Sequence, residues 1–350
     1  MAGQSCYTSN ESTQALLELS YLCTFPMAVK AAIVLKVPDI LSAESTPLTA
    51  KQIADRIPGT ATSEAKLERL LLALSTYGLF AVSGSNPRTY SLTPMSRLLA
   101  KEENGLSLSS MFLLNTETSH LETLQHLHEA VLEEGVVPFE KAYGQPVFQY
   151  FAQNTQMGGI FHSAMSNLSV ILMKSVLKNY DGFKDVKVLV DVGGGTGLNC
   201  SMIKAVYPHI SAINFDMSFV IAKAAKMPGI EHRGGSMFES VPTGGDAILL
   251  KTVLHNWDDT GCGRLLSNCY SALASAGKLV IIECLLAEET DMSSRSRLVA
   301  SFDLAMMTVF KGGKERTATQ FQNLVESTGF KDFKVAVYGD VLSVMEAYKI

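Results

Sequence analysis

Three ionisable side chains in the second half of the chain have the types and settings to move a proton. His255 follows an apolar segment, Ala247 to Leu250, that ends in Lys251. Glu283 closes another, Lys278 to Ile282, and Glu315 lies in Gly312-Gly313-Lys314-Glu315-Arg316, just ahead of a helical pattern. Histidine titrates near neutral pH, so its imidazole can take a proton from a phenol or a similar weak acid. A carboxylate bonded to the other ring nitrogen fixes the tautomer and stabilises the imidazolium. Taken singly, His255 reads as well as a structural histidine, and Glu283 reads as a paired or solvated strand-end acid. Their shared setting favours a joint role, because α/β sheets bind ligands just beyond their strand ends.

A ligand site of that kind has its own residues. Lys187 to Gly197 reads KVLVDVGGGTG, a short apolar run of the sort buried on both faces of a parallel sheet, followed by glycines and a helical pattern. Gly193, Gly195 and Gly197 read G-x-G-x-G rather than the dinucleotide fingerprint G-x-G-x-x-G. Glycines there let backbone N–H groups approach a ligand closely. A second apolar segment ends in Asp216, an acid about 20 residues on and suited to ribose hydroxyls. Strand, acid, strand is the order expected for an adenosine-bearing cofactor.

At 350 residues, 47% hydrophobic and 18% charged, the chain has room for two domains and a large core. A net charge of −5 gives no general attraction to nucleic acid or an anionic membrane. The six cysteines form no C-x-x-C pair, which suits reduced thiols in a cytoplasmic protein. No signal-peptide pattern opens the chain, and the apolar stretch Phe25 to Leu41 carries Lys30, Lys36 and Asp39, so a soluble protein is expected. His126, His128, His162, His209 and His232 have no ligand set around them, so no metal site is expected.

The positioning elements read in order. Residues 13–35 are helical and rich in apolar positions, a face that a second copy of the chain would cover. Thr49 caps one short helix and Thr62 or Ser63 the next; a hairpin follows over 79–92. That plan is a winged helix, but its would-be recognition helix offers leucines, Glu64 and Glu68 rather than base-reading side chains, so it reads as a packing module. Helical patterns over 106–132, a loop over 136–144 and a long helix over 160–180 lead to alternating strands and helices. Strands are expected at 188–192, 211–215, 246–250, 278–283, 333–339 and 342–348, with helices at 198–207, 218–226, 261–274 and 317–328.

LVDVGGGTG (189–197), INFD (213–216), GGSMF (234–238), LHNWDD (254–259), IECLL (282–286) and GGKERT (312–317) stand in an order that resembles plant small-molecule O-methyltransferases of the caffeate, flavonoid and alkaloid type. PFEKAYG (138–144) and FHSAMSN (161–167) extend the resemblance over nearly the whole chain. It implies an α/β fold, a Rossmann-like class I methyltransferase domain over 156–350, with a mostly helical, winged-helix-like dimerisation domain over 1–155. It implies S-adenosylmethionine as cofactor, with Gly193 and Gly195 cradling its methionine part and Asp216 on the ribose. Ser236 and Met237 would lie at the adenine, and Lys251 would complete the site. His255 would be the general base between Glu283 and Glu315, and the acceptor a phenolic hydroxyl. Asn115, Phe148, Phe161, Met165, Asn256, Met306 and Phe310 would surround the substrate, in a homodimer. Ser236 departs from the family's usual aspartate and Asn256 from its usual acid, while Phe310 and Lys311 replace smaller or polar residues. Two other readings stand beside it: a nicotinamide-dependent oxidoreductase, and a repurposed, non-catalytic member of the methyltransferase fold.

Overall fold

The computed structural model describes residues 9–350 apart from 60 and 104. Its contacts form two compact units. One runs to Leu121 and adds Thr155–Asn167; the other comprises Glu122–Asn154 and Leu168–Ile350. The chain crosses between them at three places, whereas the family resemblance implies one division, between 155 and 156. The reason lies in the aromatic residues of 137–151. Phe139 and Val147 are buried in a cluster with Tyr143, Tyr150, Phe151, Val309 and Phe310, which ties that stretch to the second unit.

In the first unit, helices Thr24–Val34, Val37–Ser42, Ala50–Ala54 and Glu64–Thr76 surround a core of Ala32, Ile53, Leu67, Leu71 and Leu74. Thr49 caps its helix through a full capping box with Gln52; Ser63 sits at the next N-cap but makes no side-chain bond there. The expected hairpin is β2 (Phe80–Ser83) with β3 (Thr89–Leu92), and β1 (Leu48–Thr49) pairs antiparallel on the far side of β3. The helix Ser9–Tyr21 leaves Leu16, Leu17, Leu19 and Tyr21 exposed.

The second unit is built on a seven-stranded sheet: β4 (Val188–Val192), β5 (Ser211–Asp216), β6 (Ile230–Gly234), β7 (Ala247–Lys251), β8 (Lys278–Glu283), β11 (Lys331–Val337) and β12 (Ser343–Tyr348). Two-residue strands β9 (Leu285–Leu286) and β10 (Arg316–Thr317) pair in parallel beside it. The order is β11-β12-β8-β7-β4-β5-β6; β4 to β8 run parallel, β12 runs opposite to them, and β11 pairs antiparallel with β12. Apolar clusters cover both faces: Val190, Ile248, Leu250 and Ile281 point to one, Leu189, Leu249, Val280 and Ile282 to the other. This two-sided burial is why β4, β7 and β8 read as apolar runs, broken within β4 only by the buried Asp191.

Three expectations change. Residues 138–143 form a helix, not a loop: Pro138 fits a first helical position and Gly144, at φ +69°, ends it, so the supposed loop residues are the helix's boundary signals. The helix after Asp216 stops at Ile221. Strand β6 and the helix Ser294–Val309 are additional; the first is the polar sheet edge Ile-Glu-His-Arg-Gly, and the second buries only Val299 and Thr308. Neither shows a periodic apolar face to a reader of the sequence. The helix Thr155–Asn179 is long and apolar enough by composition to cross a membrane, a property that core helices share.

Glu346 on β12 ties the antiparallel edge together. Its carboxylate accepts from Tyr180 Oη (2.5 Å), Lys278 Nζ (3.1 Å) and Tyr348 Oη (2.9 Å) and pairs with Lys334 Nζ at 3.0 Å. Burial alone would raise its pKa, but these partners outweigh burial and hold it at about 2. That value lies below the ordinary glutamate pKa of about 4.3, so the stabilisation is complete above it and is lost as pH falls toward 2. Replacing Glu346 by Gln is expected to destabilise the fold by about 2 kcal/mol near neutral pH. Urea melts should show the gap between the two proteins closing as pH drops below about 4.

Candidate active site

Lys251 ends β7, and Thr252 then turns the chain with φ +50°, a left-handed conformation that a β-branched residue seldom takes. Such strain, on the order of 1–3 kcal/mol, persists only where surroundings enforce it. Here the turn brings the N–H groups of Val253 and Leu254 onto one oxygen of Glu283, at 2.8 Å each. Glu283, at the end of the adjacent strand β8, is wholly buried. A 3₁₀ turn, Leu254–Asn256, then presents His255, whose side chain is 17% exposed.

The imidazole lies between two carboxylates. His255 Nδ1 is 2.9 Å from Glu315 Oε1 and 3.8 Å from Glu283 Oε2. A carboxylate accepts, so Nδ1 donates and Nε2 is left as the basic nitrogen. Glu315 is placed in turn by its own N–H, which donates to Asp303 Oδ1 at 2.8 Å, and Asp303 stands on the helix Ser294–Val309. Burial opposes charge on His255, but the Glu283 charge and the Glu315 hydrogen bond prevail, and its pKa lies above the ordinary 6.5. Burial also raises the Glu283 carboxyl, against the pull of His255 and of the two backbone N–H groups. One possible ligand atom from each of His255, Glu283 and Glu315 stands within 4.8 Å of the other two, a spacing a metal ion could use. The hydrogen bonds already assign Nδ1 and Glu283 Oε1, leaving Glu283 Oε2 and Glu315 Oε2 buried without a partner.

The glycine turn lies at the same edge of the sheet, after β4. Gly193, Gly195 and Gly197 have φ of +74°, +60° and +91°, and a Cβ on Gly194 would come within 2.2 Å of Asn214 Oδ1. Around Gly195, by contrast, nothing lies within 4 Å of a Cβ position. Asp216, at the end of β5, accepts from Gly195 N at 2.8 Å and from Met217 N at 2.7 Å. Asn214 donates to the Gly195 carbonyl at 2.9 Å and lies 3.1 Å from His232 Nδ1. His232 Nε2 faces the Ala225 carbonyl at 2.9 Å, so it must donate there and leave Nδ1 to accept from Asn214. Lys251 Nζ is buried and donates to Ser169 Oγ at 3.0 Å; burial draws its pKa down against the pull of Asp191 and Glu283.

These residues fit an adenosyl sulfonium compound. Asp191 is buried, one of its oxygens has no partner, and burial pushes its pKa up to about 6. Asp191 stands behind Gly194, whose Cβ position lies 2.6 Å from its Oδ2, and its Oδ1 keeps acceptor capacity for a ligand's donor group. Asp216 keeps lone pairs for ribose hydroxyls. Ser236 and Met237 follow β6 half-buried; Met237 packs against the core and its carbonyl accepts from Asn268. In the same unit the rings of Phe148 and Phe310 lie 5.4 Å apart, and Met306 shares the helix that Phe310 closes. Asn256 ends the 3₁₀ turn. Asn115, Phe161 and Met165 belong to the first unit, Asn115 exposed at the end of the helix Ser109–Asn115 and the other two half-buried on Thr155–Asn179. Residues without an assigned role in the sequence also take part: Asp191, Asn214, His232, Asp303 and Arg316. Arg316 stands inside GGKERT, yet nothing local says that it is buried.

A parallel sheet with a glycine turn and an imidazole–dicarboxylate cluster on one edge defines a Rossmann-like enzyme of the methyltransferase class. Comparison with known proteins agrees. The model of an O-methyltransferase domain matches residues 124–331, and that of an O-methyltransferase dimerisation domain matches residues 17–102. The chain is 39% identical to flavone 3'-O-methyltransferase OMT2 of Chrysosplenium americanum, over 91% of this chain and 94% of that one. It is also 39% identical to (iso)eugenol O-methyltransferase of Clarkia breweri, over 98% and 95%. Human N-acetylserotonin methyltransferase, solved in complex with SAM, shares the fold at a TM-score of 0.82, with 24% identity and 99% of each chain covered. The chain belongs to the O-methyltransferase family and is an enzyme that transfers methyl groups to oxygen.

The imidazole's environment gives a direct prediction. In an NMR titration His255 should titrate above the ordinary 6.5, and Glu315→Gln should lower that value by removing the charged acceptor. The raised pKa means that the pair stabilises the fold fully below about pH 6.5 and less as pH rises through the folded value. Unfolding free energies of wild type and Glu315→Gln should therefore converge on the alkaline side.

Proposed function

We propose that this enzyme methylates a phenolic hydroxyl of a plant aromatic metabolite, with S-adenosylmethionine as donor and His255 as general base. The observation that carries this reading is the 2.9 Å contact between His255 Nδ1 and Glu315, which dedicates Nε2 to accepting a proton. A phenol's pKa of about 10, by analogy with tyrosine, makes the neutral hydroxyl a poor nucleophile near neutral pH. His255 Nε2 takes the phenolic proton, the oxygen gains the methyl, and the positive charge left on the imidazolium is balanced by Glu315 and Glu283. When bound, S-adenosylmethionine supplies a methyl group on a sulfonium that departs as a neutral thioether. The remaining work is alignment, which Asp216, the glycine turn and Lys251 perform for the donor.

Phe148, Phe310 and Met306 suit one face of a flat aromatic acceptor. The relatives named for flavone and (iso)eugenol methylation support a phenolic substrate. The match to a dimerisation domain over 17–102 and the exposed leucines of the helix Ser9–Tyr21 support a homodimer.

Incubation with isotope-labelled S-adenosylmethionine and a panel of flavonoids and phenylpropanoids, followed by identification of the labelled position, tests the reading. His255→Gln should lower kcat by about 10²–10⁴-fold with little change in donor affinity. Because the base must be unprotonated, kcat/KM should rise with pH through the raised His255 pKa. Full turnover in His255→Gln would remove the general-base assignment.

A further inference from the structure

Arg316 is among the largest fully buried side chains of the protein, with only 1% of its side chain exposed. A guanidinium is withdrawn from water only where its donors are met. Nη1 donates to the Leu254 carbonyl at 3.1 Å, and Nη2 donates to the Trp257 carbonyl at 2.8 Å. Nε and Nη2 also reach Asp259 Oδ1, at 3.0 and 2.7 Å, and the guanidinium carbon stands 6.0 Å over the Phe321 ring. The two carbonyls flank His255, one on each side.

The 3₁₀ turn that presents His255 gives itself little support. Its backbone bonds, Asn256 N to Val253 O and Trp257 N to Leu254 O, are long at 3.3 and 3.2 Å. The three residues 314–316 supply the support from outside. Lys314 N donates to the His255 carbonyl at 2.9 Å, Glu315 holds the ring, and Arg316 fastens the carbonyls before and after. Lys314 Nζ and Arg316 share Asp259, whose other oxygen takes Lys314 at 2.9 Å.

We propose that Arg316 is a positioning residue for His255, spanning the Leu254 and Trp257 carbonyls with one rigid plane so that the imidazole stands at Glu315 and faces the acceptor. Only an arginine does this. A lysine offers a single rotating ammonium that cannot reach two carbonyls and a carboxylate in one fixed fork. The inference rests on His255 acting as base. It adds that the base's alignment is set by a side chain that touches neither substrate nor donor.

The test uses full-length Arg316→Lys, Arg316→Met and Asp259→Asn with His255→Gln alongside, and reads the melting temperature, donor affinity, kcat and the pH profile of kcat. Arg316→Met and Arg316→Lys should bind donor within about twofold of wild type yet lose about 10–100-fold in kcat, the scale of a misplacement near 1 Å. The acidic limb should move to lower pH, because an imidazole that leaves Glu315 titrates more easily to neutral. Folded variants with wild-type kcat and an unmoved limb would overturn the proposal, as would equal losses in donor affinity and kcat. Should both arginine variants fail to fold, Asp259→Asn decides. It removes the charged acceptor shared by Nε and Nη2 and so frees the guanidinium plane to leave the two carbonyls; a kcat loss with the same shift supports the proposal and an unchanged profile overturns it. Full turnover in His255→Gln would instead strike the base assignment, a separate failure.

Discussion

Holding one imidazole between two carboxylates out of water is the constraint that orders this edge of the sheet. Glu283 is fully buried, and a bare carboxylate in that position would be far too costly to ionise. Two backbone N–H groups and the imidazole offset part of that cost, and the N–H groups come from the turn at which Thr252 takes a left-handed conformation. The strain at Thr252 and the buried charge at Glu283 are therefore one device. The same device raises the His255 pKa, which makes the imidazole a stronger base but leaves it protonated to a higher pH.

The glycine turn follows a different rule, in which backbone is brought close and side chains are kept away. Gly193, Gly195 and Gly197 take left-handed angles, and Asp191 and Asn214 crowd the space behind Gly194. Asp216 catches the Gly195 N–H while Asn214 holds the Gly195 carbonyl, so the central glycine is gripped at both polar atoms of its backbone. A flexible loop is held in one shape by its neighbouring strand, β5. The sheet makes the two halves meet, because β4, β5, β7 and β8 end along one edge in the order β8-β7-β4-β5.

Local regularity decided how much of this could be read in advance. Strands β4, β5, β7 and β8 are buried on both faces, so their apolar runs are unmistakable and their bounds fall within a residue or so of expectation. The edge strand β6 and the helix Ser294–Val309 bury too little to show a period, and both were invisible in the sequence. Pro138 and Gly144 were legible as punctuation, but a short helix and a loop use the same marks. His255, Glu283 and Glu315 stood out by type and by position at strand ends. Arg316 and Asp303 did not, since a charged residue in a polar stretch ordinarily means a solvated surface.

By itself the sequence determined the alternation of strand and helix, the left-handed glycines and the chemical types along the sheet's edge. Each depends on neighbours a few residues apart. Only the tertiary structure decided that His255 meets Glu315 sixty positions away, that Asp303 places Glu315, and that Arg316 is sealed beneath the turn it supports. The physical reason is distance along the chain. A hydrogen bond needs its partners within about 3 Å, and whether residues so far apart reach that separation depends on how helices and strands pack, which no local pattern records.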